Sequence, residues 1–358
     1  LITSMTRSRA LRSGRLPPAR QRGIALLVAI LLVALGTMIA AAIAYENAMT
    51  ARRGAATLAL DESVLIGEAA ETLAAYGLRE VWKSDKQNTY IGQGWDKPVG
   101  PVEVVPDVML TASLEDLSGR FNLNSLVNSA DGSVNQTAFA AFQQLLASLQ
   151  IEPKWAGYIV DWIDHDIVPQ NPDGAEDSVY MGQAPPYRTP NMYITSASEL
   201  LALPGFGHER YAKLAPYVVA LPIDAKLNIC TAPGVVLDAF TPNRQEYGVD
   251  AAGLQKNRES AGACFPTLQQ FQQAIAISAP AKPQAPTTSP KTGGTSVGPN
   301  GSGGSGGSGG EVQFATNSSY FRLTSFVTIG TTEFNLYSLM YQDATGSVRP
   351  LLRSYTPD

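Results

Sequence analysis

The chain has 358 residues, 44% of them hydrophobic and 16% charged, and a formal net charge of −5. That composition is globular, with length enough for two modest cores. The negative balance gives no electrostatic case for binding nucleic acid or an anionic membrane surface.

Residues 5–22 carry six arginines (Arg7, Arg9, Arg12, Arg15, Arg20 and Arg22) and no acid, whereas residues 24–44 run for 21 residues without a charge. At about 1.5 Å per residue, a helix of that length covers roughly 30 Å, the thickness of a bilayer core. Arginine on one side only sets the orientation, with the leader in the cytoplasm and the rest exported. The junction Gly23-Ile24 resembles the cleavage site of type IV prepilins and type II secretion pseudopilins. The resemblance implies that prepilin peptidase cuts after Gly23, that Ile24 is methylated, and that the apolar segment is retained as anchor and filament core. Two other readings stand beside it. An ordinary signal peptide would end near Ala42-Ile43-Ala44, although 21 residues is long for its apolar region. An uncleaved single-span anchor is the other.

From Glu46 to Trp82 the chain is rich in Ala, Leu and Glu, and Leu58, Leu65, Ala69, Leu73 and Tyr76 recur at helical spacing. The pattern predicts one long helix from Ile24 to about Trp82, apolar all round at first and then amphipathic against a globular head. Glycine and proline between Gly92 and Pro106 predict loop, and residues 108–124 predict strand, strongest over 110–115 and 120–123. The phrase ending Asn122-Leu123-Asn124 has an echo at Asn228-Ile229-Cys230, which suggests neighbouring strands of one sheet with an insertion between them.

That insertion, residues 128–222, is helical by pattern. Helices are expected over 136–149, with Phe139, Phe142, Leu145, Leu146 and Leu149 on one face, and over 153–163, opened by a first-turn proline. Two more, over 199–203 and 209–220, flank Pro204-Gly205-Phe206-Gly207. Residues 223–279 return to mixed structure with a short helix over 269–277, and residues 280–310 form a Pro/Gly/Ser-rich linker that cannot bury a core. Residues 320–329, 333–341 and 348–355 alternate as three strands of an antiparallel meander. The head therefore comprises residues 85–127, 223–279 and 311–358.

Asp161, Asp164, Asp166, Asp173, Glu176 and Asp177 crowd one loop around Asn171 and Gly174. Hard carboxylate oxygens on a turning loop suit calcium, which takes six to eight oxygens in loose geometry. The expected ligands are Asp164, Asp166, Asp173, Glu176 and Asp177. The plainer alternative is a solvated acidic loop whose residues cap helices. His165 and His208 are the only histidines, and no nucleophile–base constellation, zinc-protease motif or phosphate loop accompanies them, so no catalytic residue is expected. The glycine turn at 204–207 resembles a helix-hairpin-helix motif. Its domain has four basic and ten acidic residues, net −6, which repels DNA. Cys230 and Cys264 both fall on the exported side, where one disulfide is the simplest arithmetic and two separate buried thiols the alternative.

Taken together, Gly23-Ile24 with its helix, residues 116–124, Asp161-Trp162-Ile163-Asp164, Gly174-Ala175-Glu176-Asp177, Pro185-Pro186-Tyr187-Arg188, 199–205 and 228–232 resemble the K-type minor pseudopilins of the type II secretion system. The resemblance implies an α+β pseudopilin fold with a long N-terminal helix on an antiparallel sheet and a large inserted all-α domain. It also implies calcium in the acidic loop, anchoring in the inner membrane of a Gram-negative bacterium with the bulk of the chain periplasmic, and placement at the pseudopilus tip. Partners would be the I-, J- and H-type minor pseudopilins, prepilin peptidase and secreted exoproteins. Pilin-like chains usually carry glutamate at the fifth mature position, where this chain has Val28. In a filament that carboxylate neutralises the terminal ammonium of the subunit ahead, since a bare charge in an apolar core is costly. A subunit with nothing ahead of it needs none. A minor pilin of a type IV pilus and a membrane-anchored, calcium-stabilised binding module are the alternative readings.

Overall fold

The computed structural model describes residues 22–243, 246–260, 264–278, 312–330 and 332–356. The leader up to Gln21 and the linker over 280–310 lie outside the described residues. The chain divides into two units, residues 1–62 and 63–358. Helix α1 (Arg22–Ser84) supplies the first unit and opens the second. In the first unit the side chains of residues 24–44 are exposed on every face. This stretch is long and apolar enough to cross a membrane, which fits a single-pass anchor.

In the second unit α1 lies on a five-stranded antiparallel sheet ordered β1-β2-β7-β8-β9. Strand β1 (Val99–Val105) is exposed at every residue, and β2 (Val108–Asp116) pairs with it. The glycine and proline around β1 had predicted loop. Backbone pairing to the apolar β2 makes it an edge strand, with register irregularities at both of its ends.

The helix buries Ala70, Ala74 and Leu78, with Ile66 half-buried beside them, against Leu110, Phe321, Leu323 and Met340. This is not the face the sequence pattern selected. Leu65, Leu73 and Tyr76 point outward, each more than half exposed. The reason is distance at one point: a Cβ on Gly67 would stand 2.6 Å from Leu336 Cδ2, so the sheet leaves no room for a side chain there, and the small residues Ala70 and Ala74 carry the contact between Ile66 and Leu78. One acid joins this small-residue face. Glu71 is buried, accepts from Ser338 Oγ at 2.6 Å, and is bridged by Arg353 Nε and Nη2 at 2.8 and 2.7 Å.

After β2 come β3 (Phe121–Asn122), a 3₁₀ turn at Leu123–Leu126, α2 (Gln136–Ser148), α3 (Trp155–Ile163), α4 (Asp177–Tyr180), a second 3₁₀ turn at Ala197–Ala202, α5 (Gly207–Leu214), a third 3₁₀ turn at Ala215–Tyr217, and β4 (Val218–Val219). The helix expected over 209–220 therefore stops at Leu214. Pro216 interrupts it, and Val218 and Val219 pair in parallel with Phe121 and Asn122. Pro153 precedes α3 rather than opening it.

Next are β5 (Leu227–Asn228), α6 (Gly234–Phe240), α7 (Ala251–Ser260), α8 (Leu268–Ser278), β6 (Phe314–Ala315), and the meander β7 (Tyr320–Ile329), β8 (Thr332–Gln342) and β9 (Val348–Ser354). The segments around Asn122 and Asn228 are not neighbours in one sheet: β3 pairs with β4, and β5 pairs with β6. Their likeness has another cause. Asn122 Oδ1 accepts from the N–H of Asn124, and Asn228 Oδ1 from that of Cys230, so each asparagine closes the same local turn. Phe142 and Phe240 both pack against Phe121, at 5.1 and 5.8 Å, which carries the helical core from α2 into α6.

The chain leaves for the insert and returns beside itself through a second use of these asparagines. Asn122 accepts from Leu221 N and donates to Pro222 O, while Asn124 donates to Ile194 O and Leu221 O and accepts from Ile194 N. Asn124 is fully enclosed, so Asn124→Ala strands three backbone groups in the dry interior. The expected loss is about 2–4 kcal/mol, read as a lower urea midpoint. A wild-type midpoint would show that the junction holds without it.

Candidate metal centre

Helix α3 is buried on nearly every side, with Trp155, Ala156, Ile159, Val160 and Ile163 in the core. Its last turn therefore fixes the acids that follow. Asp161 points inward with no exposure and accepts backbone N–H from Gln170 (3.1 Å) and Ala175 (2.6 Å). Two glycines permit this fold-back. A Cβ on Gly157 would collide with Asp173 O, and one on Gly174 would collide with Gln170 N and Asp161 Oδ2. Asp161 thus ties the loop to the helix rather than facing the loop's interior.

Among the described residues, Asp164, Asp166 and Glu176 bring carboxylate oxygens within 4.8 Å of one another. Asp164 and Glu176 are buried, and Asp166 is exposed. Asp164 Oδ1, Glu176 Oε1 and the Tyr180 hydroxyl are buried without a hydrogen-bond partner. Burial pushes the Asp164 carboxyl up to about 7, with the charges of Asp166 and Glu176 adding to it. Burial likewise pushes Asp161 up to about 7 against the pull of its two N–H donors, and raises Glu176 despite the Thr189 hydroxyl. Unsatisfied acceptors aimed into one acidic space are the arrangement that a hard cation relieves. The residues present fit such an ion.

Two expected ligands do not join this group. Asp177 accepts from the backbone N–H and hydroxyl of Thr189 and lies 3.6 Å from Arg188. Asp173 is exposed and lies outside the cluster. His165 lies tilted against Tyr193 at 6.2 Å and also stands apart. Tyr180 and Thr189 were not singled out from sequence. Tyr180 carries the only sequence hint: it lies four residues beyond Glu176, which on a short helix places it over the acids. Trp162 and Tyr187 flank its ring, both at 5.4 Å.

The glycine turn between the 3₁₀ helix and α5 has Gly205 and Gly207 at positive φ, +82° and +76°, with Phe206 buried edge-on against Trp155. All four basic residues of the insert are engaged. Arg210 grips Glu152 through two 2.8 Å bonds, Lys213 meets Glu209, Arg188 meets Asp177, and Lys154 lies over Trp155. The turn is a packing device without a cation to offer phosphate. Cys230 and Cys264 form the disulfide. Gly23 and Ile24 lie in the first turn of α1, and Val28 is exposed.

A protein-family model described as "Type II secretion system (T2SS), protein K" matches residues 119–223, the stretch from β3 to just past β4. The type II secretion system protein K of Pseudomonas aeruginosa is 30% identical over 93% of this chain and 92% of its own length. That of Pectobacterium carotovorum is 34% identical over 70% of this chain and 80% of its own. In fold, the chain is similar to a chain from the crystal structure of the GspK-GspI-GspJ complex of enterotoxigenic Escherichia coli. The TM-score is 0.62 at 20% identity, covering 86% of this chain and 100% of that one.

The tether and the cluster make separable predictions. Asp161→Asn leaves one acceptor for two N–H groups and is expected to cost about 1–3 kcal/mol, with faster amide exchange at Gln170 and Ala175. Asp173→Asn should stay within about 0.5 kcal/mol of wild type. A large loss there would return Asp173 to the ligand set.

Proposed function

This chain belongs to the type II secretion system protein K family, and from that membership we propose that it caps the pseudopilus and initiates its assembly with other minor pseudopilins. It is a minor pseudopilin of type II secretion. The single observation that carries the finer reading is relatedness along nearly the whole chain, anchor included. Val28 in place of the filament glutamate supports a subunit with nothing ahead of it. The bulk of the insert supports the same position, since close helical repetition would bury it against a neighbour.

The partners of this reading are the I-, J- and H-type minor pseudopilins; one structural neighbour is a chain of a GspK-GspI-GspJ complex. Leu65, Leu73 and Tyr76, left exposed on the stem by the close approach of the sheet, are the apolar surface that neighbouring stems would cover. Processing by prepilin peptidase at Gly23, inner-membrane anchoring, a periplasmic head and delivery of folded exoproteins belong to the same reading. Its role is mechanical, not enzymatic.

Calcium is the ion that the acidic loop would hold, through Asp164, Asp166 and Glu176. Bound there, it would offset mutual repulsion and fasten the loop that Asp161 tethers to α3. Removing calcium with EGTA is expected to lower the melting temperature by several degrees, since a ligand at 100 times its Kd adds about 2.7 kcal/mol. The double variant Asp164→Asn/Glu176→Gln should lose that response. Identical melting of the wild type with and without EGTA would remove calcium from the account.

Tip placement is tested by immunogold labelling of assembled pseudopili. One label at one end is expected, and labels along the length would sink the proposal. In Val28→Glu, spreading of the label would show that residue 28 restrains polymerisation. Label confined to the end would show that the insert alone decides.

A further inference from the structure

The sheet has two faces, and only one is covered by α1. On the other, Glu115, Arg322, Leu339 and Leu352 stand in one file across β2, β7, β8 and β9. The insert overhangs this file with Thr195–Ala197, Tyr211 and Pro216, leaving a cleft of about 330 Å³. Its walls are apolar where Leu117, Val218, Leu339 and Leu352 line it.

The charged residues lining the cleft are Arg120 and Arg322. Both guanidiniums converge on Glu115 and are mostly buried, with side-chain exposures of 16% and 23%. Arg120 also donates to Ala215 O across the seam at 3.4 Å. Arg322 gives Nη2 to Glu115, while its Nε is buried with no acceptor. Two cations therefore share one carboxylate, a local surplus of +1 on a chain whose net charge is −5. A guanidinium is a rigid fork that binds carboxylates in pairs of parallel bonds, and a buried donor without an acceptor is costly. The surplus suits a monoanion, whereas a phosphate dianion would meet Glu115.

We propose that this cleft is a docking site for an acidic side chain, aspartate or glutamate, presented among apolar residues on a segment of a partner protein. The carboxylate seats between Arg120 and Arg322, and its apolar neighbours lie on Leu339 and Leu352. Because the cleft is built from both the head sheet and the insert, its occupant reads their relative setting. The site stands apart from the acidic loop and does not depend on whether that loop holds calcium.

The test uses the full chain in detergent and a fluorescein-labelled pentapeptide of alternating leucine and glutamate, compared by anisotropy with its glutamine counterpart. The acidic peptide is expected to bind at least about tenfold more tightly, the scale of one charge-assisted hydrogen bond. That preference should fall below about threefold in Arg322→Gln and persist in part in Arg322→Lys. Ser354→Trp narrows the cleft without changing charge and should weaken acidic-peptide binding at an unchanged melting temperature, which decides the matter even if Arg322→Gln does not fold. Equal affinity of the wild type for the two peptides, no binding of either, or an acidic-peptide affinity unchanged in Ser354→Trp would each overturn the proposal.

Discussion

The architecture depends on closing a long excursion with a handful of buried amide contacts. Between Asn122 and Leu221 the chain travels through the whole helical insert, and then returns to within hydrogen-bonding distance of its point of departure. The paired strands there are two residues long, too short to fix the return alone. Asn122 and Asn124 supply what the strands lack. An asparagine side chain offers donor and acceptor together, so each matches a backbone N–H and a C=O on the returning segment. A second polar knot lies beside it. Asp116 is enclosed and accepts from Ser318, Thr231 and the N–H of Ser118, while Asn228 donates to Ser318 and to Thr89 O. Burial pushes the Asp116 carboxyl up while these donors pull it down. Four separated parts of the chain meet at that one carboxylate and its amide neighbour.

With the insert fastened, the stem and sheet can be considered as a separate contact. Gly67, Ala70 and Ala74 let strands lie close to α1, and closeness is gained by giving up large apolar burial at those three positions. Glu71 and Arg353 then tie the last strand to the helix through a buried, doubly bonded carboxylate. The side chains that would ordinarily make a helix amphipathic toward its own head are left outside. In a filament subunit that is coherent: the inner face holds the head, and the outer face is available to other stems.

The same fact explains where the sequence could be read and where it could not. The 21-residue charge-free run and the alternation of Phe, Tyr, Thr and Val in the last three strands were legible because they depend on period and length alone. The packing face of α1 was not. Hydrophobic size pointed to Leu65, Leu73 and Tyr76, whereas backbone approach required glycine and alanine one position away. Strand β1 was hidden for a related reason, since its pairing is dictated by β2 and not by its own composition. The break at Pro216 was written in the sequence and was masked by the helical spacing on either side of it.

The acidic loop shows how density of like charge misleads about role. Six acids lie within seventeen residues, yet five of them divide among three tasks and Asp173 is left exposed outside the cluster. Asp161 faces inward and holds backbone; Asp177 faces Thr189 and Arg188; Asp164, Asp166 and Glu176 face one another. What separates them is the direction imposed by α3. That helix is locked in the core through Trp155, Ile159 and Ile163 and ends there, so Asp161 stays on its core-facing turn while Asp164, the C-cap in extended backbone, leaves the helix for the loop's interior. Gly157 and Gly174 then decide how near the loop comes, because a side chain at either would push it off the helix. The cluster is therefore set by apolar packing and by two missing side chains, and the carboxylates occupy a space already shaped for them.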